Sequence, residues 1–412
     1  MARVLLAWEF GAGLGHLNRL LPVAERLSAL GHDVTFAVPD PDMARPVIAR
    51  RLPDGTAPIV SGPRWRPVGD AKVREVPTDS FADVLRLFDA HRPPVLRAAV
   101  EQWDVALAKA RPDLIVADFA PTLALAATGV PRVVVGNGYT VPPPGRPLPP
   151  MRPWVQALPA HSRAHEAELL DRFGPLHHER QGRPLRHLAD LFSGDRTFVC
   201  TIVAFDPYGP HRRGPTYMPF NVPRVAPGPP VAEREEGRVA LYMPVNHPQI
   251  HAVLAALGTL GAPCDAHIGS ADPAAVARIA PPNVTVHERP LALEAVLPAA
   301  AALIHHGGLA TAYAGLQAGV PQLVMPINLE QSITARGLLR SGGTALLPGR
   351  GTVAPEAIHD ALARLRSDPV IGAAAHAAAR AASARPRQDT LELVVAACRD
   401  MLDGRRGRRL RA

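Results

Sequence analysis

The chain opens on a continuous apolar run, Val4-Leu5-Leu6-Ala7-Trp8, followed by Glu9 and a glycine-rich stretch from Gly11 to Gly15. An uninterrupted run of this length predicts a strand covered on both faces. From His16 the period changes. Leu17, Leu20, Leu21, Val23, Ala24 and Leu27 recur every three or four positions, which predicts a helix that Gly31 ends. Residues 34–38, 114–117 and 132–135 predict three further strands, with a short helix over 122–127. After a stretch rich in Pro, Gly and charge, the alternation restarts. Strands are expected over 239–242, 264–268, 284–286, 302–304 and 322–325, and helices over 251–260, 274–279, 291–297 and 310–318. A last apolar stripe (Leu391, Leu393, Val394, Val395, Cys398, Leu402) predicts a final helix.

Two blocks of alternating strands and helices predict the α/β class, with two Rossmann-like, doubly wound parallel sheets in tandem. The expected boundaries are a first domain over 1–225, a linker over 226–237 and a second domain over 238–384. A helix over 385–403 and a basic tail over 404–412 complete the chain. Such sheets bind ligands beyond the carboxyl ends of their strands, so two facing domains are expected to enclose a central cleft.

Composition narrows the class. Of 412 residues, 47% are hydrophobic and 20% charged, which excludes wholesale disorder. Cys200, Cys264 and Cys398 are too scattered for a disulfide framework or a zinc site. Residues 1–9 do not have the form of a secretory leader. The apolar region 291–304 is broken by Glu294 and Pro298, so a soluble, cytoplasmic protein is expected. The net charge is +8, of which Arg405, Arg406, Arg408, Arg409 and Arg411 supply five. Lys72 and Lys109 are the only lysines. This predicts a frayed basic tail, with peripheral contact to an anionic membrane as the alternative. No basic strand interleaved with aromatics is present, so no nucleic-acid partner is expected.

The chemistry concentrates in two places. In the second half, His305-His306-Gly307-Gly308-Leu309-Ala310-Thr311 lies between a strand and a helix. Two glycines admit close backbone approach, the helix start offers free N–H groups, and Thr311 and His306 add donors. Together they suit a diphosphate; a glycine turn with a capping Thr and a buried His is the other reading. The stretch continues through Gly319-Val320-Pro321-Gln322 to Asn328-Leu329-Glu330-Gln331. Here the sequence resembles glycosyltransferase family 1, whose fold is GT-B. That family's donor site reads His-His-Gly-Gly-x-Gly-Thr, then Gly-Val-Pro-Gln, then an acidic residue and Gln.

The resemblance implies that His306, Gly307, Gly308 and Thr311 hold the diphosphate of a nucleotide-sugar. Glu330, Gln331 and Asn328 would meet the sugar, and Arg289 the nucleoside. In the first half, Gly13-Leu14-Gly15-His16 is similar to the family's opening loop and helix. The resemblance makes His16 the general base on the acceptor and Asp118 its partner; Gly15, and Tyr139 and Trp154 from the proline-rich segment between them, are expected on the acceptor side. An imidazole suits the task because its unperturbed pKa, about 6.5, lies near the working pH. A neighbouring carboxylate fixes its tautomer and stabilises the imidazolium. Taken alone, His16 is equally a helix-capping residue. The proline-rich segment 136–154 is expected to wall an apolar or aromatic acceptor, or simply to cover the sheet edge.

The implied reaction is inverting and metal-independent: a sugar moves from a UDP- or dTDP-sugar to a hydroxyl of a small acceptor. No cofactor is expected beyond the donor, and the protein is expected to be a monomer or homodimer. Four positions depart from the family. Ala310 replaces a Gly, Arg19 a frequent Pro, Glu288 a common Trp, and Ala314 a common ribose-binding Glu. A dTDP donor, lacking the 2′-hydroxyl, would miss that Glu least.

Competing readings are an epimerase or hydrolase acting on nucleotide-sugars, a catalytically silent binder, and a nicotinamide oxidoreductase with Asp40 on the ribose. The last needs a dinucleotide loop, and Gly11-Ala12-Gly13-Leu14-Gly15 falls one residue short of it. Asp40-Pro41-Asp42 is read as a turn rather than a metal motif. His161 and His165 are read as a solvated helix face rather than a metal pair. No Gly-x-Ser-x-Gly elbow is present, which weighs against a hydrolase of that type.

Overall fold

The structure, a computed structural model, describes residues 1–412 without 12–13, 53–56, 67–77, 235–236, 270–271, 273–275, 277, 385–387 and 410–412. For 405–409 it describes the backbone alone. Gly13, Lys72, three of the six residues of the helix expected over 274–279, and the side chains of the five terminal arginines lie outside the described residues. The chain forms two compact units, one of Met1–Asn221 with Gln388–Ala412 and one of Val222–Arg387.

The first unit contains β1 (Arg3–Trp8), β2 (Asp33–Val38), β3 (Ile59–Ser61), β4 (Leu114–Asp118), β5 (Arg132–Gly136) and β6 (Arg196–Val199). They form a parallel sheet in the order β3-β2-β1-β4-β5-β6. The strand order reverses between β1 and β4, the point at which sheets of this kind form a crevice beyond the carboxyl ends of their strands. The register there sets Trp8 beside Asp118. The connecting helices are α1 (Gly15–Ala29), α2 (Pro41–Arg51), α3 (Phe81–Leu87), α4 (Pro93–Ala110), α5 (Leu123–Ala126) and α6 (Ala160–Gln181). The apolar stripe of α1 is buried against the sheet through Leu17, Leu20, Leu21 and Leu27, and Gly31 follows the helix at φ +78°.

The second unit repeats the plan. Its strands are β7 (Val239–Pro244), β8 (Cys264–Gly269), β9 (Val284–Val286), β10 (Ala302–His305), β11 (Gln322–Val324) and β12 (Thr344–Leu346). Their parallel order, β12-β11-β10-β7-β8-β9, has the same reversal between β7 and β10. The helices are α7 (Ile250–Leu260), α8 (Leu293–Val296), α9 (Leu309–Ala318), α10 (Leu329–Leu339), α11 (Pro355–Ser367) and α12 (Pro369–Ser383). The last helix, α13 (Thr390–Arg409), belongs to the first unit. Val394, Val395, Cys398 and Leu402 join the core that contains Trp8 and Leu20. It continues to Arg409, so the segment expected to fray from 404 is helical over most of its length.

Three further expectations change. Residues 226–237, read as a linker, belong to the second unit, where Val231 is buried and Gly228 donates its N–H to Ala318 O. Arg234 is buried there and donates to the carbonyls of Pro229 at 3.0 Å, of Ala318 and Gly319 at 3.1 Å, and of Ala300. Burial pulls its pKa down to about 10. Its partners come from distant segments, so the sequence shows only a charged run. Second, Asp40 does not begin a turn. It caps α2, accepting from Met43 N at 3.1 Å with Pro41 in the first turn. Third, His161 and His165 do not form a solvated face. His165 Nδ1 lies 2.7 Å from the buried Asp83, and His161 lies 3.7 Å from Asp79, which ties α6 to the start of α3. Among the described residues, no helix is long and apolar enough to cross a membrane.

Arg234→Met leaves carbonyl groups buried without donors, each worth about 1–3 kcal/mol. The expected outcome is a stability loss on the order of 3 kcal/mol, seen as a lower denaturant midpoint for the second unit.

Candidate active site

The end of β4 places Asp118 at the crevice with no exposure to solvent. An ionised carboxylate there needs donors, and α1 supplies both. His16 Nδ1 lies 3.0 Å from Asp118 Oδ2, and Arg19 Nη1 donates to the same oxygen. Residues three apart share a helix face, which is why both reach it. The carboxylate only accepts, so the ring faces it with a proton on Nδ1 and turns Nε2 away from it. The His16 side chain is 11% exposed. Its ring stacks on Trp8 at 5.5 Å between centroids and leans on Phe119 at 5.7 Å. Gly11, at φ +92°, lets the loop pass close to Nε2; a Cβ there would overlap the ring. Phe119 adopts φ +49°, a costly conformation for a bulky residue, and its carbonyl accepts from Phe10 N at 3.0 Å.

Of the other acceptor-side residues, Gly15 is exposed at the start of α1. The ring of Tyr139 rests 5.4 Å from Phe81. Trp154 is 39% exposed. The loop before Tyr139 is braced by Arg212, which pairs with buried Asp206 at 2.5 Å and donates to Gly138 O and Val141 O at 3.1 Å.

In the second unit the two histidines after β10 divide their work. His305 Nε2 donates to Gln322 Oε1 at 2.9 Å, and its Nδ1 accepts from Gly307 N at 3.1 Å. Complete burial pulls its pKa down to about 3, so it stays neutral and holds the loop. His306 is the adaptable one: its Nδ1 is buried without a hydrogen-bonded partner, and burial lowers its pKa. Gly307, at φ +96°, passes tightly over Gln331, and Gly308 precedes the first turn of α9, with Thr311 in that turn. The N–H groups of that turn have no partner within the helix and carry a positive partial charge. On α10, Asn328 accepts from Gln331 N at 3.0 Å as the helix cap, and Gln331 Oε1 accepts from Ile327 N at 2.9 Å. Asn328, expected to meet the sugar, thus has its oxygen committed to the helix. Arg289 and Glu288 are exposed beyond β9, and Ala314 is fully buried.

The chain is similar to several known proteins. Residues 251–400 match the family of erythromycin biosynthesis protein CIII-like C-terminal domains. A 3-alpha-mycarosylerythronolide B desosaminyl transferase of Saccharopolyspora erythraea is 28% identical over 72% of this chain and 70% of its own. The elloramycin glycosyltransferase ElmGT of Streptomyces olivaceus is 28% identical over 88% of this chain and 89% of its own. These relatives support a nucleotide-sugar-dependent glycosyltransferase of the bacterial natural-product type. Solved structures add the fold. The glycosyltransferase VinC in complex with dTDP aligns with a TM-score of 0.62 at 19% identity, covering 97% of this chain and 99% of that one. The spinosyn rhamnosyltransferase SpnG aligns with a TM-score of 0.63 at 18% identity, covering 97% and 100%. Both support a two-domain, Rossmann-like GT-B fold.

Two groups in this glycosyltransferase escaped the sequence reading. Arg19 shares Asp118 with His16 although the family resemblance puts a Pro there. Glu9, directly after β1, is buried and accepts from Trp65 Nε1 at 2.7 Å, Thr122 N at 3.0 Å and the Thr122 hydroxyl. A carboxylate between an apolar strand and a glycine-rich loop was the available signal. Burial pushes its pKa up to about 7, against the lowering effect of those bonds.

Between pH 4.5 and about 7 the folded protein therefore holds a proton that the unfolded chain releases. Stability contributed by this site falls as pH rises through that window, by on the order of 3 kcal/mol. Thermal unfolding followed from pH 5 to 8 is expected to show this slope, and Glu9→Gln to remove it whatever its effect on absolute stability.

Proposed function

We propose that this glycosyltransferase transfers a sugar, with inversion and without a metal ion, from a dTDP-sugar (a UDP-sugar next) to a hydroxyl of a small apolar or aromatic acceptor. The observation that carries the reading is the His16–Asp118 pair, with Nδ1 engaged and Nε2 turned away from the carboxylate. The acceptor hydroxyl gives its proton to His16 Nε2. Its oxygen attacks the anomeric carbon from the face opposite the diphosphate, and the electrons of the breaking bond leave on the diphosphate oxygen. Asp118 stabilises the imidazolium that forms.

The first turn of α9, His306 and the Thr311 hydroxyl meet the departing charge, doing what a bound cation does elsewhere. On α10 the Glu330 carboxylate and the amide nitrogens of Gln331 and Asn328 are the groups assigned to the sugar hydroxyls, the two amide oxygens being bonded to backbone N–H groups. Ala314 supports a dTDP donor, because an alanine has no carboxylate to offer a ribose 2′-hydroxyl. Two relatives carry names in the same direction: the TDP-daunosamine transferase DnrS of Streptomyces peucetius and VinC, solved with dTDP. Arg289 is the exposed cation available to the nucleoside side. The names of the curated relatives, which include desosaminyl and elloramycin transferases, support a small-molecule aglycone as acceptor.

His16→Ala is expected to lower turnover roughly 100- to 10,000-fold while leaving donor binding in place. Turnover within a few-fold of wild type removes His16 from its role. Protection against thermal unfolding is expected to follow dTDP, then UDP, then GDP; UDP ranking clearly first contradicts the donor assignment. Activity is expected to survive EDTA.

A further inference from the structure

Asp118 is buried whatever the state of His16. A carboxylate without water needs a compensating charge, and in an isolated His–Asp pair only the imidazolium supplies one. Such a pair is drawn toward the imidazolium, which leaves the ring a poorer acceptor for the next proton. In this protein a second cation is built in. Arg19, 5% exposed, points its Nη1 at the same Oδ2 that His16 Nδ1 reaches, and its Nε is buried without a partner.

We propose that Arg19 is a positioning residue of the transfer reaction: its fixed charge neutralises Asp118, so that His16 rests uncharged and ready to receive the acceptor's proton. The inference rests on the reading of His16 as general base. It assigns a role to a residue that the family resemblance does not explain. Asp118 still orients the ring through Nδ1, but the guanidinium shares the carboxylate and weakens its pull on the ring proton.

The other groups packed around the pair do not supply that charge. On the β1 side stand the Trp8 indole and on the β4 side the Phe119 ring, both without charge. Cys200, after β6, lies near both Arg19 and Asp118, and burial pushes its thiol up to about 12, so it stays protonated and uncharged. From the loop after β5, Gly136 lies closest to Asp118 Oδ1, and that oxygen has no hydrogen-bonded partner.

The test reads the protonation of the His16 ring directly, by nitrogen-15 NMR of histidine-labelled full-length protein, with the signal assigned through His16→Gln. No substrate is needed, so the result is independent of the His16→Ala turnover measurement that decides the base assignment. In wild-type protein the ring is expected to be neutral at pH 7.5. In Arg19→Met its proton affinity is expected to rise about tenfold or more, as for a carboxylate relieved of a neighbouring cation. Arg19→Lys, which keeps the charge, is expected to return it to within about threefold of wild type. A purely structural arginine would leave the titration of the folded variant unchanged, and an unchanged curve overturns the proposal. If Arg19→Met does not fold, Arg19→Gln is titrated in its place: a rise of about tenfold in the proton affinity of the ring upholds the proposal, and an unchanged curve overturns it.

Discussion

A carboxylate cut off from water at the end of β4 sets the constraints on the first unit. Asp118 cannot be solvated, so its donors must be delivered by the fold with the right reach and direction. Both come from the first two turns of α1, which obliges the β1–α1 loop to bring that helix start over the strand end. The features on either side follow from it. Gly11 takes a left-handed conformation so that the loop clears the imidazole, and Phe119 takes one so that the chain can turn directly after the aspartate. The flat rings of Trp8 and Phe119 then fill the space beside the imidazole. A helix, a strand end and a loop are thereby held to one geometry by a single buried charge.

The second unit uses the same end of the same sheet plan without a buried carboxylate. There the strand β10 ends in His305, neutral and fully bonded, which holds the backbone of Gly307 in its tight passage over Gln331. The first turn of α9 is left with N–H groups that have no partner within the helix, and His306 stands before it with Nδ1 unpartnered and a hydrogen bond to the Tyr242 backbone. In the proposed reading one unit presents a proton acceptor and the other an anion cradle, although their strand orders match. Their difference lies in the few residues that follow β1, β4 and β10 and not in the architecture.

Much of this was legible in the chain. Strands β1, β4, β7 and β10 are covered on both faces and read as plain apolar runs, and the stripe of α1 has an unbroken helical period. The edge strands β3 and β12 are three residues long and only partly covered, so no run marks them. The long helix α6 carries His, Glu and Arg on most faces, because ion pairs to α3 and α4 hold it alongside apolar contacts. His16 and Asp118 were readable as a pair from the resemblance; Arg19 was visible only as a departure from it, since its meaning depends on where Asp118 lies. The division of labour between His305 and His306 needed the position of Gln322. Arg234 needed four carbonyls from three separate segments.

The most direct test of the account is a crystal structure of the protein with dTDP bound. The account predicts the diphosphate at the start of α9, within hydrogen-bond distance of the backbone N–H groups after Gly308, the Thr311 hydroxyl and the His306 ring. A nucleotide seated instead on the glycine-rich loop before His16 would contradict it, because that loop would then hold the cofactor and the imidazole would have no acceptor to deprotonate.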